Sequence, residues 1–167
     1  LMTYFLTGIF ENLKNEAYQK LEREQLQFVK HINQVPGVVY QLRHSPDGKF
    51  SLPFISDSLS DLFELIPDEI KNDFAKVLES IHPDDAVLFK LSIIESLNTL
   101  ENWSFEGRTI LPRKGLRWFS AHSKPERLDD GSTVWHGYMT DITDRKNTEQ
   151  EFIRAKEQAE YASRAKS

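Results

Sequence analysis

The chain has 167 residues, a net charge of −5 and 39% hydrophobic residues, including 11 Phe and 3 Trp; this fits one domain with appendages and a real core. Basic and acidic residues are interleaved, which excludes the basic face of a nucleic-acid binder. Cysteine is absent, which excludes a disulfide framework, a thiolate metal site and a cysteine nucleophile and fits a reducing compartment.

No run is long and apolar enough to span a bilayer. The opening residues 1–10 are apolar but lack the basic start of a signal peptide. They read as the first turns of an amphipathic helix, and a start at Leu1 reads as that of a fragment. From about Phe10 to Asn33, the residues Phe10, Leu13, Ala17, Leu21, Phe28 and Ile32 recur at helical steps. Lys20 and Glu24 interrupt the stripe, so this is a surface or dimer helix. Pro36-Gly37 stops it.

A β-hairpin follows. Residues 38–43 are β-rich, Ser45-Pro46-Asp47-Gly48 supplies the turn, and residues 50–55 return. Pro53 would cost a ladder bond in a central strand, so this second strand belongs at an edge. Residues 56–76 read as short helical pieces, one capped by Ser58 or Ser60, another starting at Pro67-Asp68-Glu69. Ile81-His82-Pro83-Asp84-Asp85 is a stronger start signal. The helix it opens carries Val87, Leu88, Leu91, Ile94 and Leu97 as an apolar stripe.

Three strands come next: residues 103–111, residues 116–124 ending at Pro125, and residues 133–141. Short Gly turns join them, as in an antiparallel meander. The last strand runs into the polar junction Asp141-Ile142-Thr143-Asp144, where Thr143 or Asp144 is placed to cap a final helix. In that helix Phe152, Ala155, Ala159 and Ala162 alternate four and three apart, as in a coiled-coil seam. Alanine contributes little burial, so such a coil is marginal alone. The alternative is a solvated helix without a partner.

No constellation for catalysis appears. Asp84-Asp85 and Asp129-Asp130 sit where a helix start and a turn explain them. There is no Gly-rich phosphate loop, metal-spaced His pair or serine elbow. No catalytic residue and no metal site is assigned.

In this order, Ile81-His82-Pro83-Asp84-Asp85, Arg113-Lys114-Gly115-Leu116-Arg117-Trp118, Asp129-Asp130-Gly131 and Gly137-Tyr138-Met139-Thr140-Asp141-Ile142-Thr143-Asp144-Arg145-Lys146 resemble the PAS domain family, in the type that ends in a PAC motif. The ending Ala155 to Ser167, closing on Ala165-Lys166-Ser167, resembles the linker into the dimerisation and phosphoacceptor domain of bacterial histidine kinases.

The resemblance implies an α+β fold: a five-stranded antiparallel sheet with flanking helices, an N-terminal amphipathic helix (1–34), a PAS/PAC domain (35–146) and a C-terminal coiled-coil signalling helix (147–167). It implies a sensory input module that detects a small ligand or partner. Paired exit helices would relay the signal to a histidine kinase domain in a two-component phosphorelay. The fragment itself would not be an enzyme; the parent would be an ATP-dependent protein-histidine phosphotransferase. Implied partners are a second copy of the chain, the downstream kinase domain, a response regulator indirectly, and a small ligand, but no nucleic acid. The implied location is the cytoplasm, with or without a tether to the inner membrane. In such modules Asp141, Ile142, Thr143 and Asp144 link strand movement to helix movement. The rival readings are a ligand-free dimerisation spacer and an input domain of a diguanylate cyclase.

The family's ligand cavity lies between the sheet and the middle helices. Strand parity points Phe119, Ala121, Trp135 and Met139 into it, with Tyr40, Leu88 and Leu91 completing the lining. The alternative is a filled core. Arg108 is the one charged candidate for a ligand contact, suited to a carboxylate, if the even positions of its strand face inward; Trp103, Phe105 and Leu111 favour the opposite parity. No cofactor is assigned. Flavin photoadduct chemistry in related photosensors uses a cysteine, which this chain lacks. Haem is not expected, because none of the five histidines lies at the middle of the helix over residues 84–97.

Overall fold

The first 33-residue element, α1 (Met2–Gln34), is one continuous helix. It stops where Val35 turns extended at φ −70°, ψ 126°, the conformation that a following proline favours. Phe5, Phe10, Leu13, Leu21 and Phe28 along it are exposed. The computed structural model describes residues 1–166. Ser167, the last residue of the Ala-Lys-Ser ending, lies outside the described residues. The chain divides into two units, Leu1–Pro36 and Gly37–Ser167.

The second unit is built on a sheet. Its elements are β1 (Val38–His44), β2 (Phe50–Ile55), α2 (Ser58–Phe63), α3 (Pro67–Ile70), α4 (Phe74–Ser80), α5 (Pro83–Thr99), β3 (Trp103–Leu111), β4 (Gly115–Arg127), β5 (Thr133–Asp141) and α6 (Thr143–Ala165). The five strands pair in the order β2-β1-β5-β4-β3, and every pairing is antiparallel. The expected fold class is the one observed. β2 is an edge strand, as Pro53 requires. The β1–β2 register slips between Gln41 and Arg43, and the Leu52 N–H turns away to the Lys71 carbonyl at 2.7 Å.

Two local expectations are corrected. Pro125 does not end its strand; β4 continues to Arg127. The β3 ladder stops at Ser123, so beyond it β4 pairs with β5 alone. There a missing N–H is tolerated, as on any edge. Nor does Ser58 or Ser60 cap α2. Its first turn follows Asp57 without a side-chain cap, because the Ser58 hydroxyl donates to the Gly37 carbonyl and that of Ser60 to the Leu65 carbonyl.

One face of the sheet forms the core. Val38, Tyr40 and Leu42 alternate inward on β1, and Phe119 and Ala121 do so on β4. The short helices bring Leu59, Phe63 and Ile70 against them. α5 starts as the sequence indicates. His82 Nδ1 accepts the Asp84 N–H at 3.2 Å, Pro83 takes the first turn, and Asp84 and Asp85 sit at the positive helix end.

The buried face of α5, however, is Phe89, Ile93 and Ser96. Val87, Leu88, Leu91 and Ile94 are 65%, 63%, 56% and 47% exposed. The long-range partners decide this rotation. Phe89 makes edge-on ring contacts with Trp103, Phe105 and Phe119 at 5.6, 5.2 and 6.2 Å, worth about 0.5–1.5 kcal/mol each beyond burial. Ser96 Oγ accepts the Trp135 indole N–H at 2.9 Å.

Candidate ligand cavity and relay junction

The core does not close completely between the sheet and the helices. A cavity of about 70 Å³ remains. Leu59, Phe63, Ile70 and Val77 line it from the short helices, Phe89 and Ile93 from α5, and Tyr40, Thr109, Phe119, Ala121 and Met139 from the sheet. The lining is aliphatic and aromatic apart from a few hydroxyls. Two of these, Tyr40 OH and Thr109 Oγ1, are buried without a hydrogen-bond partner. Burial pushes the Tyr40 phenol well above its usual range, with the Ser123 hydroxyl opposing. Tyr40 therefore stays neutral, and no charged side chain faces the space.

The structure thus places four sequence candidates, Tyr40, Phe119, Ala121 and Met139, on the cavity wall. The other candidates lie elsewhere. Trp135 is 1% exposed and packs within the core beside Phe50, at 6.4 Å between ring centroids, rather than on the wall. Leu88 and Leu91 are corrected to the exposed face of α5. Arg108 is corrected to the outer side of the sheet. The odd residues Trp103, Gly107, Thr109 and Leu111 of β3 are buried, so the even ones point away from the cavity. Arg108 there is clamped by Asp85. Its backbone N–H and Nε donate to Oδ2 at 2.9 Å each, and Nη2 donates to Oδ1 at 2.7 Å. A guanidinium bound this way is not a free ligand contact.

Sequence reasoning missed Leu59, Phe63, Phe89, Ile93 and Thr109. The pairs Leu59/Phe63 and Phe89/Ile93 stand four apart and could have been read as helix faces. Thr109 shares the parity of Trp103 and Leu111, and that parity was the available signal.

The junction after β5 is a connected set of hydrogen bonds. Asp141 Oδ1 accepts the Thr143 N–H at 2.9 Å and the Thr143 hydroxyl at 2.5 Å. Thr143 Oγ1 in turn accepts the Trp118 N–H at 2.9 Å, and the Ile142 N–H donates to the Trp118 carbonyl at 2.9 Å. Arg117 Nη1 lies 4.0 Å from Asp141 Oδ2. Neither Thr143 nor Asp144 caps α6 as expected. Thr143 is already the first helical residue and its hydroxyl is committed to Asp141 and Trp118, so Asp141 satisfies the free helix N–H. β4, β5 and α6 therefore meet at one buried threonine.

Beyond this junction α6 continues to Ala165. Phe152 is 71% exposed, and Ala155, Ala159 and Ala162 are exposed with it. Among the described residues no group of three or more His, Asp and Glu side chains is placed to hold a metal ion. No described helix is long and apolar enough to cross a membrane.

A family profile for the PAS fold matches residues 52–139, more than half of the chain. The chain belongs to the PAS fold family. Among solved structures it is similar to a sensory box histidine kinase/response regulator from Burkholderia thailandensis, at TM-score 0.58 and 20% identity over 83% of this chain and 98% of that one. It is also similar to a domain assigned to a light and redox sensing histidine kinase from Haloarcula marismortui, at TM-score 0.54 and 21% identity over 70% and 99%. The N-terminal domain of a diguanylate cyclase with PAS/PAC sensor from Marinobacter aquaeolei gives TM-score 0.54 and 16% identity over 65% and 98%. No curated protein matches the sequence significantly.

Proposed function

We propose that this chain is a sensory input module whose cavity takes a small, uncharged, largely apolar ligand and whose α6 relays the response to a histidine kinase domain. The single observation that carries the reading is the physical link between cavity wall and exit helix. Phe119, Ala121 and Met139 line the cavity on β4 and β5; β4 near its start, at Trp118, and β5 at its end, at Asp141, meet in the hydrogen-bonded junction that starts α6. A ligand that favours one of two sheet positions shifts the helix by its differential affinity for them. The Phe152–Ala155–Ala159–Ala162 face then serves as a seam for the same helix of a second copy, where small residues permit close, switchable packing.

The cavity supports the ligand class. Its largely apolar wall suits an apolar guest, and Tyr40 OH and Thr109 Oγ1 are the polar groups it could offer one. A flavin or haem would need several hundred Å³, on the order of a drug-sized pocket, and hence a rearranged core. The kinase as recipient is supported by the two structures from histidine kinases that share the fold. A diguanylate cyclase recipient has one such neighbour too. The small cavity also favours a second reading, a dimerisation spacer without ligand.

The test joins α6 in helical register to a histidine kinase catalytic region and measures autophosphorylation. Asp141→Ala should change the regulated output while leaving the fold intact. Equal regulation in the two proteins would defeat the relay.

A further inference from the structure

We propose that Trp118 and Glu106 are positioning residues that pin the first turn of α6 to the outer face of the sheet, so that the start of the helix moves with β3 and β4 as one piece. This rests on the relay reading above for its purpose, but not for its geometry.

Glu106 and Arg108 on β3, and Trp118 on β4, are even-numbered residues facing away from the cavity. Arg108 and Trp118 are cross-strand partners. α6 lays its first turn beside this row. Lys146 Nζ is 2.8 Å from Glu106 Oε2, and Arg145 Nη2 donates to Glu106 Oε1 at 2.6 Å. The same Lys146 Nζ stands 5.2 Å from the centre of the Trp118 ring, while the Arg108 guanidinium stands 5.6 Å from it. Lys146 is only 22% exposed, low for a lysine.

Two cations at one indole would repel unless each brought an anion. Each does: Arg108 holds Asp85, and Lys146 holds Glu106. Lys146, and after it Arg145, keeps the Glu106 carboxylate below its ordinary range. Glu149, one turn on, lies 3.6 Å from Arg145 and 3.7 Å from Lys146, which closes the group. The Trp118 backbone also binds Ile142 and Thr143. One residue thus holds the helix start through its main chain and the helix's first turn through its ring.

The far side of this row reaches the cavity. Asp85 stands in the first turn of α5, and Phe89, four residues on, lines the cavity. A displacement of α5 moves Asp85, Arg108 and the Trp118 ring in turn. This route runs through side chains on the outer face of the sheet, whereas the first runs through inward residues of β4 and β5, and the two converge at Trp118 and the start of α6.

The test is amide hydrogen exchange by NMR on the 167-residue chain. The reporters are the α6 amides of residues 146–150, with Ala121 and Met139 as core references. Glu106→Gln removes the anion and keeps the shape; Trp118→Leu removes the ring, and Trp118→Phe restores an aromatic face. The first two should speed α6 exchange about five- to tenfold with the core references unchanged, the size expected for losing partly exposed ion pairs and a cation–π contact. Trp118→Phe should recover part of the protection. Unchanged α6 exchange in Glu106→Gln overturns the pin, and so does an equal loss across α6 and the core references. Because Glu106→Gln does not touch the core, the result stands even if Trp118→Leu folds poorly. The kinase chimera separates the two readings: loosened α6 exchange with unaltered chimera output keeps the pin and defeats the relay.

Discussion

The ring of Tyr40 occupies the place a side chain at Gly137 would take. A Cβ built on Gly137 would stand 2.7 Å from Tyr40 Cζ and 2.4 Å from the His122 carbonyl oxygen. The two residues face each other across β1 and β5. The glycine lets the tyrosine lie across the inner face of the sheet toward Ser123 and form the cavity floor.

Gly137→Ala should therefore destabilise by about 1–3 kcal/mol, because the clash is with backbone that cannot turn aside. Tyr40→Phe should do the reverse of a usual core truncation. It removes a buried hydroxyl without a partner, so stability should change by less than about 1 kcal/mol or rise. Urea midpoints of the two variants check both. A large loss in Tyr40→Phe would show that the hydroxyl is satisfied.

Ser96 is the polar pivot of the core. Its Oγ accepts from the Trp135 and donates to the Glu101 carbonyl at 2.8 Å. Ser96→Ala leaves the Trp135 N–H buried and unpaired, at a cost of about 1–3 kcal/mol. Trp135→Phe gives up the same bond and some volume, and should cost at least as much. Thermal unfolding of both variants measures this, and a neutral Ser96→Ala would refute the assignment.

The rotation of α5 gives a contrast within one helix. Ile93→Ala should cost about 2–4 kcal/mol as a core truncation. Leu88→Lys and Leu91→Gln lie on the exposed face and should stay within about 0.5 kcal/mol of the parent. Comparable losses at Leu91 and Ile93 in denaturant melts would reinstate the sequence-based stripe.

Asp85 predicts a pH dependence. The Arg108 side chain, donating to it, holds its carboxyl below the ordinary carboxylate range despite partial burial. A group whose folded pKa is depressed adds stability above its unfolded pKa, about 3.9 for Asp. That stability is lost as pH falls through the folded value. Arg108→Met should thus lower stability at pH 7, and the gap from the parent should narrow as pH falls below the ordinary carboxylate range. A gap of constant size across that range would remove Asp85–Arg108 as its source.

Asp141→Ala removes the acceptor for the Thr143 N–H and hydroxyl. The loss should be about 1 kcal/mol, as for a helix cap, small beside its effect on the orientation of α6. Chemical denaturation of the chain, read beside the kinase chimera, separates these two effects.

Much of the fold was legible because strand signals are local. The turns at Pro46-Asp47-Gly48 and Asp129-Asp130-Gly131 bracket their strands, and parity alone put Phe119, Ala121 and Met139 on the inner face. α5 was misread because both of its faces are apolar. Phe89 and Ile93 compete with Leu88 and Leu91, and only the distant rings of Trp103, Phe105 and Phe119 decide between them. Arg108 faces outward with the parity that Trp103 and Leu111 favour; its pairing with Asp85 has no sequence signal, because a helix-start acid is sufficient explanation for that residue. The row at Trp118 was invisible to sequence reading, since it joins residues from α5, β3, β4 and α6 that share no spacing.

The edge at β2 has a consequence for how copies of this chain can meet. Pro53 offers no N–H, the register slip breaks the ladder, and the Leu52 N–H is already spent on Lys71. A strand from another molecule finds no continuous template on that side. The domain can carry a sheet of five strands at high cellular concentration without β2 seeding the strand-upon-strand growth that leads to fibrils.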